Sequence, residues 1–308
     1  MAFLQSQLAT VNTYSSATNI TGGTLTVSGA GSIESSSGIT VNGPTAKYLH
    51  TSSVASTRNI TLTQGTVGGT GTVGAVTVAN GTGMIANGNG NSAVLTVGSL
   101  AFNGAGAINV TDDGDENTSG IVVSGALSTT PANGTITVNA SSTFWNSGVT
   151  YNLMNAGSFS GSLSDFTKGT ILGLTGRQSS SLVSTGSGIG LLIGGDNPKW
   201  SGLDSNNWVV GSTGANGNWK MIAGGTKTDY IQGDVVLFDD SATNKTVSIS
   251  AADVAPAVVN FNNSSGNDYT LNGAFGISAG AVNKNGTGTV TISSPNTYTG
   301  TTTITAGT

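Results

Sequence analysis

Residues 60–78 read ITLTQGTVGGTGTVGAVTV, with an apolar–Thr–apolar triplet at each end and a glycine-rich stretch between them. The triplets are Ile60-Thr61-Leu62 and Val76-Thr77-Val78. Alternation with a period of two places the apolar side chains on one face of a β-strand and the hydroxyl on the other. Glycine adopts turn conformations that other residues avoid. The stretch therefore predicts short strands that each bury one face and are joined by glycine turns.

The same triplet recurs along the whole chain. Further examples are Leu25-Thr26-Val27, Ile39-Thr40-Val41, Leu95-Thr96-Val97, Ile108-Asn109-Val110, Ile136-Thr137-Val138, Val247-Ser248-Ile249, Tyr269-Thr270-Leu271 and Val290-Thr291-Ile292. From Leu25 to Leu95 the triplets begin 14 to 21 residues apart, whereas antiparallel sandwiches usually space their strands about 8–12 residues apart. No stretch has a helical period. We therefore predict an all-β fold, a parallel β-solenoid in which each coil stacks its strands on the coil before it.

The composition is that of a folded, weakly charged chain. Of its 308 residues, 36% are hydrophobic, 7% are charged and 48 are glycine. Disordered chains combine low hydrophobicity with high net charge, so strands joined by glycine turns explain this composition better. The net charge of −5 argues against nucleic acid as a partner, because phosphate backbones bind basic patches. The absence of cysteine excludes disulfides and cysteine-bound zinc.

The sequence contains no membrane span and no export signal. No window approaches the roughly 18 consecutive apolar residues of a transmembrane helix. Residues 1–11 lack the basic start and long apolar run of a signal peptide. We therefore expect no membrane insertion by this segment, and we expect any signal or anchor to lie outside this sequence.

A change in composition near residues 195–200 predicts a boundary between two domains. Residues 141–195 are rich in aromatic side chains and end in the apolar run Ile189-Gly190-Leu191-Leu192-Ile193. A tryptophan-rich segment follows, and regular triplets then resume. We predict one β-solenoid stack over residues 1–195 and a second stack over residues 196–308.

The end of the chain repeats a segment near its beginning. Asn296–Thr308 aligns without a gap on Asn12–Thr24, and eight of the thirteen positions are identical. We call these segments the C-terminal copy and the N-terminal copy. Self-similarity of this kind is typical of repeat architectures. We predict that the two copies occupy equivalent places in successive units, which join head to tail. The self-association residues are Asn12, Thr13, Tyr14, Asn296, Thr297 and Tyr298.

The C-terminal stretch resembles a bacterial repeat. Residues 286–308 read GTGTVTISSPNTYTGTTTITAGT, in which a strand, an Asn-Thr-Tyr-x-Gly motif and a Thr-rich strand ending in Ala-Gly-Thr follow one another. This stretch is similar to the autotransporter-associated β-strand repeat, and residues 65–78 and 200–240 resemble passenger segments of large bacterial surface proteins. The resemblance implies a right-handed β-helix on the surface of a Gram-negative bacterium, without catalytic residues.

The densest acidic cluster consists of Asp112, Asp113, Asp115 and Glu116. Calcium prefers several oxygen ligands on a flexible loop, and it would relieve the repulsion among these carboxylates. The ligand spacing of an EF-hand is absent, so a solvated turn is the competing interpretation. Calcium is therefore a hypothesis, and no other cofactor is expected.

A carbohydrate-cleaving enzyme is the alternative that the residues leave open. Asp239-Asp240 follows an apolar strand and Asp234 precedes it, and glycosidases use two carboxylates about 5–9.5 Å apart. No motif ties these acids to a base, since the nearest lysines are Lys227 and Lys245. His50, the one histidine of the chain, has no nucleophile motif near it. We therefore predict no catalytic residues, with a polysaccharide lyase or hydrolase as the alternative.

Three tryptophans, Trp200, Trp208 and Trp219, lie close together after the predicted boundary. Flat aromatic rings stack on sugars, so these residues are candidates for a glycan-binding site. Large aromatic side chains also fill the open end of a stack, because each buries a large apolar area. The sequence favours this second role.

These observations predict an extracellular, non-enzymatic segment of a bacterial surface protein or fibre. Its role would be structural or adhesive. Its expected partners are further copies of itself, or glycans and cells, and not nucleic acid.

Overall fold

The computed structural model describes residues 5–88, 93–112, 114–130, 134–143, 145–211 and 217–308. In this part of the chain the elements are strands, apart from one turn of 3-10 helix at Leu163–Asp165. The predicted all-β class is confirmed. None of the described helical structure is long and apolar enough to cross a membrane.

The chain divides into two compact units. Unit 1 contains Met1–Gly173 and Ser180–Ile193, and unit 2 contains Leu174–Ser179 and Gly194–Thr308. The main division, after Ile193, lies just before the start of the boundary region expected from composition.

The first fourteen strands form one sheet, most of which belongs to unit 1. Their bounds are β1 Gln5–Leu8, β2 Thr18–Ile20, β3 Thr24–Gly29, β4 Ile39–Ser52, β5 Ile60–Gly69, β6 Thr72–Ala86, β7 Leu95–Phe102, β8 Gly106–Thr111, β9 Ile121–Thr129, β10 Ile136–Ser141, β11 Thr150–Ser160, β12 Phe166–Leu172, β13 Gln178–Ser184 and β14 Ile189–Gly195.

Parallel pairing dominates unit 1, as the triplet spacing predicts. Most strands pair with a segment that lies far along the chain, so Thr24 is opposite Lys47 and Ile39 is opposite Ile60. An antiparallel exception is β11, which pairs with β14 in that sense. Parallel neighbours require such long connections because a tight hairpin joins only antiparallel strands.

The triplets stack in register, and this stacking builds the core of unit 1. Val41 lies opposite Leu62, and Leu62 lies opposite Val78, which lies opposite Phe102. All four side chains are fully buried. Thr61, between the inward residues Ile60 and Leu62, is exposed. Alternation along the strand therefore separates an apolar interior from a threonine-rich outer face.

Gly65 shows why the turns need glycine. Its φ of +93° lies in the left-handed region, and a Cβ at this position would overlap the Ala46 carbonyl oxygen. Any other residue would meet both backbone strain and a clash.

Unit 2 contains two smaller sheets. Seven strands form the first, in the spatial order β17-β16-β15-β18-β20-β22-β24, and the other is β19-β21-β23. Their bounds are β15 Pro198–Trp200, β16 Trp219–Met221, β17 Lys227–Thr228, β18 Val235–Phe238, β19 Thr246–Ser248, β20 Val258–Phe261, β21 Tyr269–Asn272, β22 Ala281–Lys284, β23 Val290–Ile292 and β24 Thr302–Ile304.

Aromatic side chains form the core of unit 2. Phe238 lies opposite Phe261 in the parallel pair β18–β20, and their rings stack with centroids 4.9 Å apart. Tyr269 meets Phe238 edge to face at 5.4 Å. Offset and edge-to-face ring pairs add to the stabilisation that burial alone provides.

Lys284 continues the Phe238–Phe261 column with a buried ammonium group. It lies opposite Phe261 on one side and Ile304 on the other. Its Nζ donates hydrogen bonds to the carbonyl oxygens of Gly286 and Ala306. Burial lowers the pKa of Lys284 below its usual value. The hydrogen bonds to these carbonyl oxygens replace those that the ammonium group would form with water.

The inward and outward assignment of side chains can be tested at two neighbouring residues of strand β5. We expect Leu62→Ala to lower the free energy of unfolding by about 2–5 kcal/mol, because it removes buried methyl groups and leaves a cavity. Thr61→Ala, on the exposed face, should change it by about 0.5 kcal/mol or less. Equilibrium urea denaturation measures both values. Equal losses would contradict the inward and outward assignment.

Candidate functional site

The N-terminal and C-terminal copies have the same local structure. The Tyr14 hydroxyl lies 2.8 Å from Thr18 Oγ1, and the Tyr298 hydroxyl lies 2.9 Å from Thr302 Oγ1. Asn12 Nδ2 donates to the carbonyl two residues earlier at 2.8 Å, and Asn296 Nδ2 does the same at 2.9 Å. These two side-chain bonds are therefore common to both copies.

Each copy also contains a strand at the same aligned position, but one of these strands pairs with a later strand of the chain and the other with an earlier one. Strands β2 and β24 occupy aligned positions, with Thr18 matching Thr302 and Ile20 matching Ile304. Strand β2 pairs with β4, which follows it, whereas β24 pairs with β22, which precedes it. Each strand lies at the end of a line of paired strands and leaves its other edge unpaired among the described strands.

Solvent exposure differs between the copies in the way that this pairing requires. Ile20 is 7% exposed because Val41 lies beside it, whereas the aligned Ile304 is 63% exposed. On the other side, Tyr14 is 39% exposed, whereas Tyr298 packs against the core of unit 2. Each copy therefore exposes the surface that the other copy buries.

The asparagine of each copy shows the same complementarity. Asn296 Oδ1 accepts a hydrogen bond from the backbone N–H of Ile277, in the preceding segment, at 2.8 Å. Within the part of the chain that the structure describes, no donor reaches Asn12 Oδ1. Asn12 thus retains an acceptor that its counterpart uses to bind the segment before it.

Three residues of the acidic cluster, Asp112, Asp115 and Glu116, lie in the described part of the chain. Asp112 Oδ1 accepts from the backbone of Gly114 at 2.7 Å, and Asp115 Oδ2 accepts from Thr118 at 2.9 Å. No group of three or more potential metal-ligating side chains is found in the described ranges. Asp113 lies outside them. Asp112 and Asp115 act as turn-forming acceptors, as the competing interpretation expects, and the calcium hypothesis stays a prediction.

The carboxylates considered for glycoside cleavage bind different partners. Asp234 forms a buried ion pair with Arg177, with 2.7 Å between Oδ1 and Nε. Asp239 pairs with Lys199 at 3.2 Å, and Asp240 accepts from the backbone and hydroxyl of Ser264.

The pKa values of Asp239 and Asp240 fit structural roles. Burial raises the pKa of Asp239, but hydrogen bonds from Ser241 and Lys199 outweigh it and hold the pKa below its usual value. Hydrogen bonds from Ser264 lower the pKa of Asp240. A general acid needs a raised pKa, and neither carboxyl has one.

The three tryptophans have no ring face available for a sugar. Trp200 and Trp208 are fully buried, and Trp219 is 2% exposed. Their rings pack edge to face, with 5.2 Å between the centroids of Trp200 and Trp219 and 5.4 Å between those of Trp208 and Trp219. The glycan-stacking hypothesis needs exposed rings, and these rings instead form the core of unit 2.

The outer face of the same strands carries lysines that the sequence pattern did not single out. Lys199 precedes Trp200 and Lys220 follows Trp219, and this reversed order is what an antiparallel pair produces when tryptophan faces inward. The two lysines lie directly opposite each other. The mirrored Lys-Trp and Trp-Lys pairs were the signal that could have identified this surface.

Comparison with known proteins gives no match: no family model, no curated protein and no solved structure is similar to this chain. The functional conclusions therefore rest on the residues themselves.

His50 is buried in the core of unit 1 and is held by two bonds. Its Nε2 lies 2.9 Å from the Val54 carbonyl oxygen and therefore donates, so its Nδ1 accepts from the Tyr48 hydroxyl at 3.1 Å. Burial lowers the pKa of His50, although the Val54 carbonyl and the Glu34 carboxylate oppose this shift. The neutral imidazole therefore has a structural role.

A pH dependence of stability follows from this burial. The unfolded chain binds a proton at His50 below pH about 6.5, whereas the folded chain does so only at lower pH. The contribution of His50 to stability should therefore be complete well above pH 6.5 and fall as the pH drops from about 6.5 towards 5.5, by at most about 1.4 kcal/mol per pH unit.

Urea denaturation across this range measures the effect. Because the chain has one histidine, His50→Gln should remove most of the slope between these pH values. An unchanged slope in the variant would assign the effect to other groups.

Proposed function

We propose that this chain is a non-enzymatic structural segment of a bacterial surface fibre or adhesin, of the autotransporter-passenger type. Its strands form a right-handed β-solenoid, and copies of the segment stack end to end outside the cell. The observation that supports the stacking most directly is that the two copies share one local structure and leave opposite strand edges unpaired.

The pattern of strand pairing supports the solenoid. In unit 2, Val235 of β18 lies opposite Val258 of β20, and Val258 lies opposite Ala281 of β22, so the two parallel pairs span the same length of chain. The second sheet follows nearly the same rule, with Thr246 opposite Thr270 and Thr270 opposite Thr291. Successive coils that stack strand on strand give this constant direction and near-constant offset.

End-to-end stacking fixes a register between two copies. We place β24 of one copy beside β2 of the next, so that Thr302 lies opposite Thr18 and Ile304 lies opposite Ile20. The same alignment places Tyr298 beside Tyr14 and Asn296 beside Asn12. The unpaired backbone groups at the edge of β24 then find the partners that an edge strand lacks.

The apolar contribution to this contact comes from Ile304. Complete burial of an isoleucine side chain contributes about 1.5–3 kcal/mol, and 63% of this side chain is exposed at the free end. Tyr14 adds an exposed ring on the opposite surface. A head-to-tail contact between such unlike surfaces produces a filament when its rotation does not close into a ring, as stacking along one axis implies.

A charged residue at the free end tests the stacking. We expect Ile304→Asp to reduce association by about tenfold or more, because stacking would bury the new carboxylate. Leu172→Asp is the matched control, since Leu172 is 60% exposed and lies outside both copies. Sedimentation equilibrium over a concentration series measures association, and negative-stain electron microscopy shows whether axial stacks form. A wild-type chain that remains monomeric at high concentration would overturn the proposal.

Cysteine pairs test the register, because the natural chain contains no cysteine. Asn19 and Thr303 face outward at aligned positions, so the stacked register makes them direct neighbours. Mixing Asn19→Cys with Thr303→Cys under mild oxidation should give a cross-linked heterodimer, since adjacent strands fall within disulfide range. Thr61→Cys is the control, because Thr61 faces outward but lies on an interior strand. Equal yields from the two mixtures would contradict the register.

A further inference from the structure

Three lysines form a row across the outer face of unit 2. In the antiparallel pair β15–β16, Lys199 lies opposite Lys220, and in β16–β17, Lys220 lies opposite Lys227. The neighbouring residues Trp200 and Trp219 face the core, so alternation turns the lysines outward. The row contains three of the nine lysines and arginines in the whole chain. We call it the lysine row.

The middle lysine has an uncompensated charge. Lys199 pairs with Asp239 at 3.2 Å, and Lys227 pairs with Asp204 at 3.2 Å. Of the residues that the structure describes, none forms an ion pair or side-chain hydrogen bond with the Lys220 ammonium. Directly opposite side chains have Cβ atoms about 4.5–5.5 Å apart, so like charges at these positions destabilise the strand pair. An anion bound at Lys220 would relieve this repulsion.

A cavity of about 380 Å³ lies beside the row. Its lining includes Lys199 and Lys220 together with the hydroxyl-bearing residues Ser201, Ser241 and Thr243. Its volume lies within the range of about 300–1,000 Å³ that is usual for small-molecule sites.

Two exposed apolar side chains complete the cavity. Leu203 and Ile222 line it and are 45% and 43% exposed. A sugar ring presents hydroxyls at its edge and C–H groups on its faces, so it matches a surface of hydroxyls, apolar side chains and one cation. Asp239 and Asp204 pair with the outer lysines, and the Asp196 carboxylate accepts hydrogen bonds from the backbone of Ala223 and Gly224 in the cavity wall. Lys220 therefore offers a local attraction for a single anionic group rather than for a phosphate backbone.

We propose that this cavity binds an acidic sugar residue of a polysaccharide, with its carboxylate or sulfate group on Lys220. Lys199, which is paired with Asp239, lies opposite Lys220 on the adjacent strand, and Ser201, Ser241 and Thr243 contribute to the wall beside the sugar ring. The site lies wholly within unit 2 and needs no second copy, so its test is independent of end-to-end stacking.

Isothermal titration calorimetry with oligogalacturonate tests this site. We expect binding that weakens as salt is added, because screening reduces the attraction. Lys220→Ala should weaken it by about tenfold or more, the usual effect of losing a charge-assisted hydrogen bond. Lys47→Ala is the matched control, because it removes an exposed lysine from unit 1 with the same change in net charge and should have no effect.

Two further probes identify the anion. The fully methyl-esterified oligogalacturonate has the same ring without the charge and should not bind, whereas sulfated dextran tests whether a sulfate ester replaces the carboxylate. Binding of either acidic polymer that depends on Lys220 supports the site.

Thermal unfolding shows whether the Lys220→Ala variant is folded. Lys220→Ala should melt at the wild-type temperature or slightly above it, because it removes the central like charge. Equal binding by wild type and Lys220→Ala, equal binding of the methyl ester, or no binding of either acidic polymer at millimolar concentration would overturn the proposal.

Discussion

In-register pairing of parallel strands is the constraint on which this structure depends. A strand cannot satisfy its own backbone groups, and here most strands find their partners in segments many residues away. The same register places Leu62 between Val41 and Val78, so one arrangement satisfies the hydrogen bonds and packs the core. It also determines where pairing ends. The free edges of β2 and β24 are the direct result of this arrangement.

Much of the fold could be predicted because it repeats locally. The Ile60-Thr61-Leu62 triplet contains its own alternation, so its inward and outward faces need no long-range information. The two copies were recognisable for the same reason: the Tyr14–Thr18 bond and its counterpart at Tyr298 join residues only four positions apart. The β-solenoid itself, which depends on how coils follow one another in space, stays a prediction.

The candidate sites were harder to predict, because they depend on partners far away in sequence. Asp239 and Asp240 are adjacent, yet one binds a lysine 40 residues earlier and the other a serine 24 residues later. Tryptophan suggested sugar stacking, but burial in a shared core was the stronger effect for Trp200 and Trp219. The lysines beside them became notable only once strand pairing placed them opposite each other. The tryptophans therefore drew attention to strands β15 and β16, but the candidate site lies on the outer, lysine-bearing face of these strands and not on the tryptophan face.

Lys284 has a consequence for the free edge of β24. Its ammonium group, on the neighbouring strand β22, donates hydrogen bonds to the carbonyl oxygens of Gly286 and Ala306. Because Ala306 lies just beyond β24, this bond holds the end of β24 in place. If β24 were disordered, forming a contact there would cost conformational entropy in β24 as well as in its partner strand. Because β24 is already ordered, only the partner strand bears that cost. A buried charge, costly in an aromatic column, thus orders the strand whose edge the proposed stacking would use.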